Sequence, residues 1–171
     1  METSAFILDM LGHMKQSLTG AVDGLSQEEI EWQPGREANS IGFILWHMAR
    51  AEDSGIQSWL QQKPQVWTLE KWYQKLNLSE NPEDSGYGYT AEQLAAFPVP
   101  ELKDLLGYSD AVRSRTIDYL QSITPDEFDK VVKTPLGEFT AGQILSLFMV
   151  ELTQHIGHIA YLRGLQRGIN K

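Results

Sequence analysis

The chain has 171 residues, 42% apolar and 22% charged, with a net charge of −9, a pI near 4.8 and no cysteine. That is enough for one ordinary domain, residues 1–171, with a buried core, and it argues against disorder. It excludes disulfides, thiolate metal sites and thiol nucleophiles, and the acidic balance with no Lys/Arg cluster predicts a protein that binds neither nucleic acid nor anionic membranes. No apolar run approaches the ~20 residues that span a bilayer, and no secretory signal opens the chain, so a cytoplasmic location is expected.

Ile7, Leu8, Leu11, Met14, Leu18 and Val22 recur at helical spacing and predict a first long helix over Ser4 to about Val22, with Gly24 as its stop. Ser26 and Glu29 form a capping box, so a short helix follows, and Pro34-Gly35 turns the chain. A second long helix starts at Asn39 or Ser40 and runs to about Gln61, with Ile41, Ile44, Leu45, Met48, Ala51 and Ile56 on its apolar side. The stretch 64–100 has weaker periodicity. Thr68 caps a short helix through Lys75 and Thr90 another through Ala96, around the acidic turn-rich run SENPEDSGYGY. Its aromatic residues either line a pocket or fasten the excursion to the helices. A third long helix is expected from Pro100 or Glu101 to about Ser122, then a capped turn at Thr124–Glu127. Lys133–Phe139 reads as a turn with at most brief pairing on either side of Leu136-Gly137, and Thr140 caps a fourth long helix to about Gln166. The fold class is all-α: a four-helix bundle with short extra helices in its connections.

The fourth helix carries Glu151, His155 and His158 inside an apolar run. Residues i, i+4 and i+7 share one helix face, and Glu and His enter a core only when paired, protonated or bound to a metal. His47 lies in the equally apolar SIGFILWHMARAED segment. Taken alone it reads as a core histidine with a satisfied hydrogen bond. Together, His47, Glu151 and His155 can hold one divalent ion if the two helices pack. Two imidazoles and a carboxylate suit Zn²⁺ or Ni²⁺, with Fe²⁺ or Mn²⁺ also compatible. His13 has no partner motif and reads as a solvent-facing residue.

Two stretches, WQPGREANSIGFILWHMARAED (32–53) and TPLGEFTAGQILSLFMVELTQHIGHIAYLRGLQRG (134–168), resemble the second-helix entry and the last helix of the DinB-like superfamily, which is named for a DNA-damage-inducible gene. The superfamily's usual pattern is one histidine on the second helix and a His-x-x-x-His pair on the last, followed by Gly-Gln. The resemblance maps the first histidine onto His47 and the last onto His155, because Gly157 follows at the right distance. Glu151 stands where the pair's first histidine is usual. Members that act as mycothiol-dependent maleylpyruvate isomerases carry Glu at that position and bind zinc. His158 replaces the usual Gln.

The resemblance implies a metal-dependent hydrolase or a low-molecular-weight-thiol S-transferase acting on a small-molecule substrate. His158 and Arg50 are the candidates for metal-supporting or substrate contacts. The competing reading is a non-enzymatic stress-related or interaction protein, a homodimer among the possibilities, whose metal site is structural or vestigial.

Overall fold

Four long helices form where the apolar residues recur at helical spacing: α1 (Thr3–Val22), α3 (Ile41–Asp53), α7 (Leu102–Ser122) and α8 (Ala141–Arg167). They pack as a ring in which α1 touches α8 and α7, and α3 touches the same two helices from the other side. The computed structural model describes residues 2–168. Between the long helices lie α2 (Gln27–Glu31), α4 (Val66–Leu69), α5 (Trp72–Lys75), α6 (Ala91–Ala96) and a 3₁₀ turn at Pro125–Asp129. No helix among the described residues is long and apolar enough to cross a membrane.

The capping signals act as the sequence predicts. Ser26, Thr90, Thr124 and Thr140 each close a capping box with the Glu or Gln three residues on, and Ser40 caps α3 through the Phe43 amide. Three expectations need correction. The single short helix expected over Thr68–Lys75 is two, α4 and α5, broken at Lys71, whose φ of 54° no α-helix tolerates. The third long helix starts at Leu102 behind the N-cap Glu101, so Pro100 lies outside its first turn. The turn around Leu136-Gly137 is a full antiparallel hairpin, β1 (Val131–Thr134) with β2 (Gly137–Thr140), in the register Val131↔Thr140 to Thr134↔Gly137. The Thr134 side chain ties its two-residue tip by accepting from the Leu136 amide and donating to the Gly137 carbonyl. Thr140 ends β2 and caps α8, so no loop separates strand from helix.

Every residue of α3 is buried except His47 and Ala51, one turn apart on one face. Covering the rest are α2, α7, α8 and the excursion. Beyond Asp53 the same helix continues as a π-helical stretch, Ser54–Leu60. The wider turn coincides with a close approach: a Cβ on Gly55 would fall inside the ring of Phe148 from α8.

Two carboxylates at the end of α3 are buried and fully partnered. Glu52 accepts two bonds from Arg113, both 2.8 Å, and one from the Thr116 hydroxyl at 2.7 Å, which joins α3 to α7. Asp53 accepts the amides of Val66 and Trp67, both at 2.9 Å, and the Tyr108 hydroxyl at 2.8 Å. It therefore caps α4 from another helix, where Gln65 at the cap position supplies no side-chain bond. Arg50 lies 3.8 Å from the same carboxylate. Removing one partner of such a buried pair costs about 3–5 kcal/mol. Asp53→Ala is therefore expected to lower stability by that order, read as a lower urea midpoint, although it touches no residue of the His/Glu cluster. A midpoint shift of under ~1 kcal/mol equivalent would show that the network carries little of the fold.

Candidate metal centre

The packing of α3 on α8 brings His47, Glu151 and His155 together, each offering a ligand atom within 4.8 Å of the others. His13 stays outside the cluster, on the exposed side of α1, 3.6 Å from Asp9. The two imidazole Nε2 atoms converge on one oxygen, Glu151 Oε1, at 3.1 Å from His47 and 2.8 Å from His155. Only 13% and 14% of the two histidine side chains is exposed, against 36% for Glu151.

The far side of His47 is fixed. Its Nδ1 lies 2.6 Å from the Ser85 carbonyl oxygen, which can only accept, so Nδ1 carries the proton and Nε2 is left to face Glu151. Metal-bound histidines characteristically donate their other ring N–H in this way. The ring also stacks parallel to Phe43, with centroids 6.2 Å apart. Ser85 was not foreseen from sequence, because a backbone acceptor leaves no side-chain signature. The available sign was the glycine after it. Gly86 has φ of +79°, and a Cβ there would press on the Phe43 and Trp46 rings.

His158 is exposed, with Nδ1 3.4 Å from His155 Nδ1, and is not among the converging donors. In the tautomer that leaves His155 Nε2 free to bind, His155 Nδ1–H points to His158. Arg50 belongs elsewhere. It has no exposed surface, and its bonds go to Gln65, Tyr108 and the carbonyls of Pro82 and Asp84, which makes it a structural clamp.

The donor set fits a divalent ion. Around a tetrahedral ion at ~2.0–2.2 Å, neighbouring donors lie about 3.3 Å apart, close to the 2.8 and 3.1 Å separations here. Without an ion, protons must occupy the two N···O contacts. Burial works against a charged His47, but the Glu151 carboxylate and the Ser85 carbonyl outweigh it and raise its pKa above the ordinary 6.5. The bonds from His155 and His47 hold the Glu151 carboxyl far below its ordinary 4.5. The raised group stabilises the metal-free fold below pH 6.5, and that contribution is lost as pH rises through its folded value. The lowered group stabilises above pH 4.5, and that contribution is lost as pH falls.

A cleft of about 360 Å³ reaches His47 and Glu151. Ala51, Trp59 and Phe148 form its walls, and Tyr87, Leu136 and Leu147 stand at its mouth. Of the aromatics in the 64–100 excursion, Tyr87 alone lines this cleft. Trp67 and Trp72 pack on Tyr108, and Tyr89 and Phe97 pack on Phe43 and Trp46, so most of them fasten the excursion down. Trp59, Phe148 and Leu136 were missed as cleft residues, since periodicity marks them only as apolar.

Two outcomes are expected. In metal-free protein, the stability difference between wild type and Glu151→Gln should peak between pH 4.5 and 6.5 and shrink on both sides, read by thermal melts. Gly86→Ala should weaken zinc binding about 10–100-fold by displacing the Ser85 carbonyl, with all three donors retained; unchanged affinity by competition titration would refute that coupling.

Residues 10–159 match the family model of the DinB superfamily. A crystal structure of a conserved protein from Enterococcus faecalis superposes with a TM-score of 0.85 at 22% identity, over 96% of this chain and 97% of that one, which shows a shared fold. No curated protein matches the chain. The match covers α3 and α7 whole, most of α1 and α8, and the three converging side chains, and the chain belongs to the DinB superfamily.

Proposed function

We propose that this protein is a metal-dependent enzyme, a hydrolase or a transferase to a small thiol, with one divalent ion held by His47, Glu151 and His155. The observation that carries the reading is the pairing of three protein donors, rather than four, with a cleft that opens onto two of them. Structural sites are closed by four protein ligands, whereas catalytic sites keep a position open. His158 does not supply a fourth donor here. A divalent ion in this donor set supplies a Lewis acid that makes water or a thiol nucleophilic near neutral pH.

The chain's own residues set the rest. The Ser85 carbonyl holds the Nδ1 proton of His47 and thereby presents the Nε2 lone pair. Glu151 brings the only negative charge in the set. Its side chain is only partly exposed and is held against His47 of α3, which limits competition from water. The apolar walls lower the local dielectric and exclude bulk solvent from the reacting end of a bound molecule.

The test is metal content and turnover in parallel. Purified protein is expected to bind one zinc or nickel per chain. His47→Ala should lose it and Glu151→Gln should bind it more weakly, while Glu151→His, His158→Gln and His13→Ala should keep it. Binding should weaken as pH falls, and because His47 is held above 6.5 the decline should begin on the alkaline side of that value. Chelation should abolish, and metal should restore, turnover of a chromogenic ester with water or thiol as acceptor. Metal retained in full by both His47→Ala and Glu151→Gln would sink the assignment, and turnover indifferent to chelator would sink the enzymatic reading.

A further inference from the structure

The cleft beside His47 and Glu151 has a one-sided chemistry. Its walls are Ala51, Trp59 and Phe148, and its mouth carries exposed apolar side chains: Tyr87 at 87% exposure, Leu136 at 66% and Leu147 at 49%. These come from three separate segments, the excursion, the hairpin tip and α8, yet they ring one opening. Two acidic side chains line it, Glu83 and Glu151, and the one basic group there, His47, is already paired with Glu151. No Lys or Arg among the described residues does so. Arg50, one turn past His47 on α3, is buried and committed to four bonds.

From this juxtaposition we infer that the cleft takes an uncharged, largely apolar or aromatic molecule, inserted with its polar, reacting end toward His47 and Glu151, and that it rejects substrates bearing carboxylate or sulfonate groups. The reacting end rests on the metal reading above; the apolar selectivity does not. Small-molecule sites are mostly apolar clefts of ~300–1,000 Å³ with a few convergent polar groups, and at about 360 Å³ this one admits a compact molecule. A carboxylate on the part of the molecule lodged among these walls would be desolvated beside two acidic groups, with the single basic group, His47, already paired to Glu151. A thiol cofactor carrying free carboxylates is therefore a poor occupant, and of the two reaction types water-dependent hydrolysis of a neutral substrate fits the cleft better.

Two fluorescent probes with a common skeleton test this directly: neutral N-phenyl-1-naphthylamine and its sulfonated counterpart, 1-anilinonaphthalene-8-sulfonate, each titrated against the full chain. The neutral probe is expected to bind about tenfold or more tightly than the sulfonate. Leu147→Glu and Leu136→Glu alter exposed positions and so should fold, and each should weaken the neutral probe about fivefold or more. Leu165→Glu, at an exposed position of α8 outside the cleft, should leave it unchanged. Equal binding of the two probes, or indifference of the neutral probe to both cleft substitutions, would overturn the inference. Metal content of the same samples separates the two readings. Probe selectivity with no metal bound would leave the cleft assignment standing and remove the metal, whereas metal bound without selectivity would do the reverse.

Discussion

A guanidinium with no contact to water holds the irregular part of this protein in place. Arg50 donates through all three of its nitrogens, to the Gln65 side chain, the Tyr108 hydroxyl and the carbonyls of Pro82 and Asp84, and it lies 4.4 Å over the Trp67 ring. A buried charge costs several kcal/mol unless its hydrogen-bonding capacity is met and a counter-charge is near; Asp53 supplies the latter. Satisfying Arg50 therefore dictates where residues 82–84 run. Ser85 comes next in the chain, and its carbonyl orients His47. A side chain three residues past His47 on the same helix thus governs how His47 is presented, without touching it. This explains why a long excursion with little regular structure can form a defined wall.

The charge along α3 is partitioned by helix phase. Consecutive residues project about 100° apart, so Glu52 meets Arg113 and Thr116 on α7 while Asp53 turns to α4 and Tyr108. Both carboxylates are spent on structure. The face that carries His47 and Ala51 is left with no fixed charge of its own, and the negative charge there arrives from α8 as Glu151. Separating structural from chemical charge in this way lets Glu151 respond to a proton or an ion without disturbing the buried network.

Much of this was legible in the residues, and the boundary between legible and illegible has physical causes. Apolar residues at helical spacing mark the four long helices, because each must bury one stripe. Ser and Thr caps mark their starts, because the orphan amides need acceptors nearby. His47, Glu151 and His155 stood out because polar groups inside apolar runs are costly without a partner. Arg50 is the reverse case. In the sequence it is a charge one turn from His47, and only the fold reveals that its partners include backbone carbonyls 32 and 34 residues away. The break at Lys71 and the hairpin at 131–140 depend on what the segment packs against, which local propensity does not encode. Trp59, Phe148 and Leu136 meet only through tertiary contacts.

The π-helical stretch at the end of α3 gives this helix a phase it would not otherwise have. A π turn accommodates one residue more than an α turn, so the segment 54–60 carries Trp59 around to the cleft. Loss of a single residue there would return the segment to regular α geometry and rotate everything beyond it by about 100°, withdrawing the indole from the wall. His47, upstream of the change, would keep its place. The length of this one turn, counted in single residues, is thus a means of reshaping what the cleft accepts while the groups that face the reaction stay fixed, and insertions or deletions here among relatives would register as altered ligand preference.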